Sequence, residues 1–365
     1  MSLQIGIVGL PNVGKSTLFN ALTLAGAATA PYPFTTIEPN VGIAAVPDAR
    51  LDALAALVKP EKVTPATVEF VDIAGLVQGA SRGEGLGNQF LGHIRNVDAV
   101  ALVLRAFADA DIPAAGERVD PLGDLETLDL ELILADLATT DRRIEKVQGQ
   151  AKARPRDFAD QLHWLAGLRN HLDAGQPAVA FAEPANHPDW TQDFDLLTAK
   201  PKLYVINVAE DALPDGGPLA ATVWARARRE RVPCLALCAA CEAELATWQA
   251  AEAAAYRADL GLVEPGLHQL IRASYRLLDL MTFFTITGGK ETRAWTLKAG
   301  STAYAAAGLI HSDIQRGFIR AEVVPQAALV AAGGMAGART GGHVRLEGRE
   351  YIVQDGDVVH FRFNV

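Results

Sequence analysis

The sequence predicts an α/β fold: a doubly wound, parallel sheet interrupted by an inserted pair of long helices and followed by a small α+β domain. Three observations predict it. Short apolar runs alternate with helix-like segments from Leu3 to about Asp124; apolar residues then recur at helical spacing among many charges as far as Leu172; beyond Met281 the pattern changes to short alternating strands. The chain has 365 residues, half of them apolar and 21% charged, which is enough for roughly two or three packed cores.

Taken in order, Gln4–Val8, Val68–Val71 and Ala99–Leu104 read as buried parallel strands, because uninterrupted apolar runs suit a strand covered on both faces. Leu130, Ile133, Leu134, Leu137, Ile144 and Val147 form one apolar stripe, which predicts a helical hairpin or coiled-coil arm. Pro155 breaks that pattern and sets the turn near Arg154–Asp157. After the Pro-containing stretch Glu183–Pro188, two further strands, Lys202–Val208 and Val232–Cys238, resume the first domain. Phe283–Thr287, Arg293–Leu297, Tyr351–Val353 and Val358–Asn364 are the predicted strands of the last domain. The predicted boundaries are 1–125 and 196–280 for the two parts of the sheet domain, 126–195 for the helical insertion and 281–365 for the final domain.

A net charge of -10 argues against a uniformly basic surface and leaves room for a local basic face. No apolar stretch reaches the roughly 18 residues that a membrane helix requires, and Met1–Val8 enters a strand without a basic leader. The chain therefore reads as cytoplasmic, with no membrane partner. Cys234, Cys238 and Cys241 lie too close in sequence to be a disulfide framework. Cys238-Ala239-Ala240-Cys241 fits C-x-x-C, but a redox or zinc role needs a suitable helix N-terminus or further ligands, so these read as structural cysteines.

Gly9-Leu10-Pro11-Asn12-Val13-Gly14-Lys15-Ser16 matches G-x4-G-K-[ST], a pattern that arises by chance in about one in a hundred chains of this length. An apolar strand leads in and a helix-like segment from Ser16 leads out, so successive backbone N–H groups converge on one place that favours an anion. The loop predicts phosphate binding by Asn12, Val13, Gly14, Lys15, Ser16 and Thr17, and so a purine nucleoside triphosphate with Mg²⁺. Lys15 supplies a point charge for the outer phosphates and the Ser16 hydroxyl a Mg²⁺ ligand. Asp72 ends a strand beside this loop and suits a Mg²⁺-bound water, while Thr36 is the candidate second hydroxyl on the ion, or else a turn cap. Gly75 has no side chain, so its N–H can approach a γ-phosphate; with Lys15 it is a catalytic candidate. Leu76 stands where many small GTPases carry the glutamine that orients the attacking water, which predicts slow hydrolysis without outside help. Gly79–Gly87 holds four glycines and can act as a switch loop. Arg82 and His93 are further catalytic candidates, against the plainer readings of a solvated loop residue and a helix-surface histidine.

Guanine-specific relatives place Asn-Lys-x-Asp after a later strand; here the corresponding residues are Asn207-Val208-Ala209-Glu210. Glu210 is one methylene too long for the guanine edge, and Val208 lacks the lysine stem that covers the base. Asn207 can donate to and accept from adenine. ATP is therefore expected over GTP, with the backbone of Cys238, Ala239 and Ala240 closing over the base.

These residues resemble the YchF, or Obg-like ATPase, branch of the Obg-related P-loop NTPases along nearly the whole chain. The resemblance rests on Gly6–Thr17, Thr36–Asn40, Val71–Val77 and Gly83–Asn88, and the ending, Gly317–Ala321 with Asp355–Val358, looks like a TGS domain, a β-grasp module. It implies a GTPase-like fold, ATPase activity, association with ribosomes (large-subunit contacts included) and RNA contacts through the arm and TGS domain. Asn12 resembles the asparagine that binds K⁺ in potassium-activated relatives, a second cofactor that would offset Leu76. Two departures stand out: Thr35 replaces a cysteine proposed as a redox sensor, and Asp111–Ala115 lacks a histidine proposed as catalytic. The expected function is a slow Mg²⁺-dependent ATPase acting as a ribosome-associated switch; the alternatives are a GTPase, or a ribosome- or RNA-binding module in which hydrolysis is incidental. For the last, Arg142, Arg143, Lys146, Lys152, Arg154 and Arg156 give the arm a local positive excess, against the plainer reading of a solvated helix face.

Overall fold

The computed structural model describes residues 3–27, 40–73, 86–109, 118–182, 190 and 194–364. They fall into two compact units: Met1–Leu24, Thr36–Gly42 and Glu69–Leu267 in one, Ala25–Thr35, Ile43–Val68 and His268–Val365 in the other. In chain order the first elements are β1 (Gln4–Val8), α1 (Lys15–Ala27), β2 (Val41–Ala45), α2 (Ala49–Val58), β3 (Lys62–Thr64), β4 (Thr67–Asp72), α3 (Leu86–Asn96) and β5 (Ala99–Ala106). Then come α4 (Pro121–Ala151), α5 (Ala159–Asp173), β6 (Lys202–Val208), α6 (Gly217–Glu230), β7 (Cys234–Leu237), α7 (Ala239–Leu245), α8 (Ala250–Asp259) and α9 (Gly266–Leu277).

The first sheet has the order β2-β4-β1-β5-β6-β7. β1 runs parallel to both β4 and β5, and β5–β6 and β6–β7 are parallel pairs. All eight residues of β5 are buried, which is why its sequence lacks alternation: a central parallel strand is covered on both faces. The chain leaves β1 for opposite sides of the sheet, so the segment after β1 opens at a topological switch point, where this architecture places ligands. Register puts Asp72 opposite Ile7, at the same edge.

The two long helices form as predicted, but Leu130 of the predicted stripe is exposed, and Leu125, Leu128 and Leu132 are buried on α4 instead. Asp120 caps α4 by accepting from the Gly123 N–H, and Pro121 occupies its first turn, where no N–H is needed. A short 3₁₀ turn at Pro155–Phe158 reverses the chain into α5. Ile133 and Val147 bury themselves against Trp164, Leu165, Leu168 and Leu172, with Phe194 added from beyond α5. Asp136, fully buried on α4, accepts hydrogen bonds from the Leu197 and Thr198 backbone N–H groups, both at 2.8 Å, and from the Thr198 hydroxyl at 2.7 Å.

The second unit continues with β8 (Leu280–Thr287), β9 (Glu291–Lys298), α10 (Ala303–Ile310), α11 (Ser312–Arg316), β10 (Phe318–Pro325), α12 (Gln326–Ala331), α13 (Met335–Thr340), β11 (Arg345–Glu347) and β12 (Asp357–Phe363). Its sheet has the order β11-β10-β12-β8-β9-β3 around a core of Phe283, Leu297, Phe318, Val323 and Phe361. Edge strand β3 comes from far upstream and runs parallel to β9, Lys62 opposite Glu291. Arg50 of α2 bridges Asp48 and Asp355 at 2.8 and 2.7 Å, so that residues 43–68 are pinned into this unit by charge as well as by the sheet.

Two strand expectations change here. Tyr351–Val353 makes only an isolated bridge, Ile352 to Thr302, because its backbone groups are taken up at the start of α10: Ala303 N donates to Tyr351 O and Val353 N to Ser301 O. β10 was not anticipated as a strand, since Arg320 and Glu322 interrupt its apolar run; Glu322 is nonetheless buried, held by Arg339 at 2.9 Å and by Arg362. Among the described residues, no helix is long and apolar enough to cross a membrane.

Candidate functional site

The site grows out of the end of β1. Asn12 and Gly14 both take positive φ, +62° and +93°, which folds the loop back so that its amides face inward. At Gly14 a side chain is excluded twice over: the backbone is left-handed, and a Cβ would land on the Asn207 amide nitrogen. Lys15 begins α1, is buried, and donates to the Leu10 carbonyl at 2.8 Å. Burial pushes its pKa below the ordinary lysine value, opposed by nearby Asp72. The ammonium is therefore held desolvated, which strengthens its attraction for any anion that enters.

Ser16 and Thr17 are exposed on the first turn of α1. The Ser16 hydroxyl donates to Asp72 Oδ2 at 3.1 Å, whereas Asp72 Oδ1 is buried with no hydrogen-bond partner among the described residues. A hydroxyl beside an unspent carboxylate oxygen suits a hard, oxygen-seeking cation and its water.

Opposite the loop, the end of β6 carries Asn207. Its buried amide donates to the Val13 carbonyl at 2.9 Å and its oxygen accepts from the Ala239 N–H at 3.0 Å. Asn207 thus ties the phosphate loop to the start of α7, leaving one N–H and one lone pair for a ligand. Glu210 accepts from the Tyr256 hydroxyl of α8, and that contact holds the phenol at about 12. Cys238 caps α7, its sulfur accepting from the Cys241 N–H at 3.3 Å.

Most of these groups line one cavity of about 620 Å³; Asp72, bonded to Ser16, and Tyr256, bonded to Glu210, are not part of its lining. It gathers Asn12, Gly14, Lys15, Ser16 and Thr17 with Asn207, Val208, Glu210, Cys238, Ala239 and Ala240. Val13 is buried behind the lining and takes part through its carbonyl. His93 is exposed on α3, outside the lining. Thr36, Gly75, Leu76 and Arg82 lie outside the described residues. The cavity also uses Phe107, Ala108, Asp109, Ala209 and Glu244, which were not among the predicted site residues, and Cys241, which the sequence assigns a structural role only. The first three follow β5, and the rule that ligands gather at the carboxyl ends of parallel strands would have found them.

A parallel sheet whose first strand runs into this loop, with an acid at the end of the neighbouring strand, defines a P-loop protein of GTPase-like fold. A family model described as 50S ribosome-binding GTPase matches residues 4–151, and a YchF-GTPase C-terminal model, described as a protein of unknown function, matches 280–364. Over the full length of both chains, the sequence is 52% identical to the ribosome-binding ATPase YchF of Bacillus subtilis and 46% identical to that of Escherichia coli O157:H7. The structure of the Schizosaccharomyces pombe YchF GTPase matches with a TM-score of 0.89 at 32% identity, covering 99% of this chain and 98% of that one. The chain belongs to the YchF family of Obg-related P-loop GTPases.

Proposed function

We propose that this chain is a slow, Mg²⁺-dependent ATPase that acts as a nucleotide-controlled switch on the ribosome. The observation that carries this reading is the cavity in which the phosphate loop meets Asn207-Val208-Ala209-Glu210 in place of Asn-Lys-x-Asp. The names of the relatives add to it: those from Bacillus subtilis and Escherichia coli O157:H7 are called ribosome-binding ATPases. Ser16 and Thr36 would hold Mg²⁺, with Asp72 reaching it through water, and the ion would neutralise phosphate charge. Lys15 grips the outer phosphates, the N–H of Gly75 meets the γ-phosphate, and Asn12 is the candidate K⁺ ligand. Residues 126–195 are read as a coiled-coil arm inserted between the two parts of the NTPase domain, 1–125 and 196–280. Residues 281–365 are read as a β-grasp TGS domain. Steady-state hydrolysis of ATP and GTP in K⁺ and in Na⁺ buffers, with and without ribosomes, tests the whole reading; no turnover of either nucleotide under any of these conditions overturns it.

Base choice is tested separately. Calorimetry is expected to find ATP bound more tightly than GTP, and the double change Glu210→Asp with Val208→Lys to narrow that gap by about tenfold, or ~1.4 kcal/mol. A preference for GTP in the native chain reverses the assignment.

The arm supports a second reading, a ribosome- or RNA-binding module. Arg142, Lys146, Lys152, Arg154 and Arg156 are all exposed, whereas Arg143 lies over the Phe194 ring at 5.2 Å. Changing the five exposed residues to glutamate is expected to weaken ribosome binding and to flatten its dependence on salt. Unaltered binding and slope would remove the arm from the interface.

A further inference from the structure

The C-x-x-C motif acquires in three dimensions what it lacked in the sequence, a direct contact between its two sulfurs and a place in a cavity wall. Cys238 is the capping residue of α7 and Cys241 lies within its first turn, three residues on, so both side chains share one face. The two sulfurs are 2.7 Å apart, closer than the roughly 3.5 Å of ordinary non-bonded contacts. Both cysteines line the nucleotide cavity. Cys234, the only other cysteine, lies on β7 outside that lining, where burial pushes its thiol up to about 12.

We infer that Cys238 and Cys241 form a reversible disulfide in the wall of this cavity, a modification site for small disulfide oxidants that a bound nucleotide shields.

Two donors converge on the Cys238 sulfur, the Cys241 N–H at 3.3 Å and the Cys241 S–H. Cys238 is therefore the sulfur placed to attack, and Cys241 the one placed to resolve. Burial, together with its contacts to Cys238 and Glu210, keeps Cys241 in the S–H form well above the ordinary thiol range. In the first step Cys238 loses its proton, attacks one sulfur of the oxidant and expels one small thiol, leaving a mixed disulfide. In the second, Cys241 attacks the Cys238 sulfur and expels the other small thiol, its own proton passing to solvent or to the departing thiolate. The sum converts two protein thiols and one small disulfide into one protein disulfide and two small thiols. A disulfide bond of about 2.05 Å is reached by bringing the sulfurs together by well under an ångström. Neither oxidation nor its reversal requires α7 to unwind.

The shielding clause rests on the nucleotide reading above; the disulfide itself does not. The test uses the full-length reduced protein, oxidised β-mercaptoethanol, and intact and peptide mass spectrometry. The native chain is expected to lose ~2 Da and to show Cys238 linked to Cys241. Cys241→Ser is expected to stop at a stable Cys238 adduct, and Cys238→Ser to gain no adduct at Cys241. Mg·ATP at about 100 times its dissociation constant is expected to slow closure about 100-fold, since only the empty cavity reacts. A link to Cys234, or no link at all, overturns the disulfide. Closure at an unchanged rate with ATP demonstrably bound overturns the shielding. If calorimetry finds no ATP binding, the functional reading falls with the shielding, and the disulfide is still judged by mass.

Discussion

Lys15→Ala is expected to lower the affinity for Mg·ATP by about 100- to 1,000-fold, or ~3–4 kcal/mol, and to abolish hydrolysis. The size follows from where the ammonium sits. It is buried at the start of α1, bonded among the described residues to a neutral carbonyl in its own loop, and already stripped of much of its water. The cost of desolvating it is met on folding, so its attraction for a phosphate is realised almost in full when the ligand arrives. The same burial fixes the sign of a pH effect. The folded-state pKa of Lys15 is lowered, so the folded chain binds fewer protons here than the unfolded chain. The charged group thus costs stability at neutral pH, and that cost fades as pH rises through the lowered folded value towards the unfolded one. Lys15→Ala should therefore leave the urea midpoint unchanged or slightly raised at neutral pH. Calorimetric titration checks the affinity: binding within about threefold of the native chain would put the phosphates somewhere other than this loop.

The second large effect concerns the packing of α4 against the segment after α5. Asp136→Ala is expected to destabilise the first unit by about 3–5 kcal/mol, because it removes the acceptor for two backbone N–H groups and leaves them facing a fully buried space. Asp136→Asn keeps one acceptor oxygen but turns an NH₂ group towards the other donors, and should cost about half as much. Urea titration followed by the fluorescence of Trp164, which is packed in the same core, measures both. A loss of unfolding free energy of less than about 0.3 kcal/mol for Asp136→Ala would mean that water takes over from the carboxylate.

Much of the first sheet was legible because its signals are local. An eight-residue buried strand such as Ala99–Ala106 announces itself by composition, and Pro155 marks the turn between α4 and α5 by its own chemistry. The phosphate loop was the most legible feature of all, since its glycines, lysine and serine act within one turn of chain. The misses have a common cause. Lys62–Thr64 carries no pattern that assigns it to a sheet formed some 230 residues later, an offset set by its pairing with Glu291–Arg293. Phe318–Pro325 hides a buried Glu322 whose charge is answered only by Arg339 and Arg362 in space. Tyr256 reached Glu210 from a helix with no motif of its own.

By itself, the sequence determined the phosphate-loop motif Gly9–Thr17, the alternation that builds a parallel sheet, and the helical periodicity of α4, because each depends on periods and backbone preferences spanning a few residues. The tertiary structure alone decided that Asn207 braces the loop against α7, that Asp136 anchors Leu197 and Thr198, and that Cys238 and Cys241 meet in a cavity wall. The Asn207–Val13 bond joins residues 194 positions apart. Contacts of that kind leave no trace in local periodicity, since their energy depends on burial and mutual orientation that exist only once the sheet has closed around them.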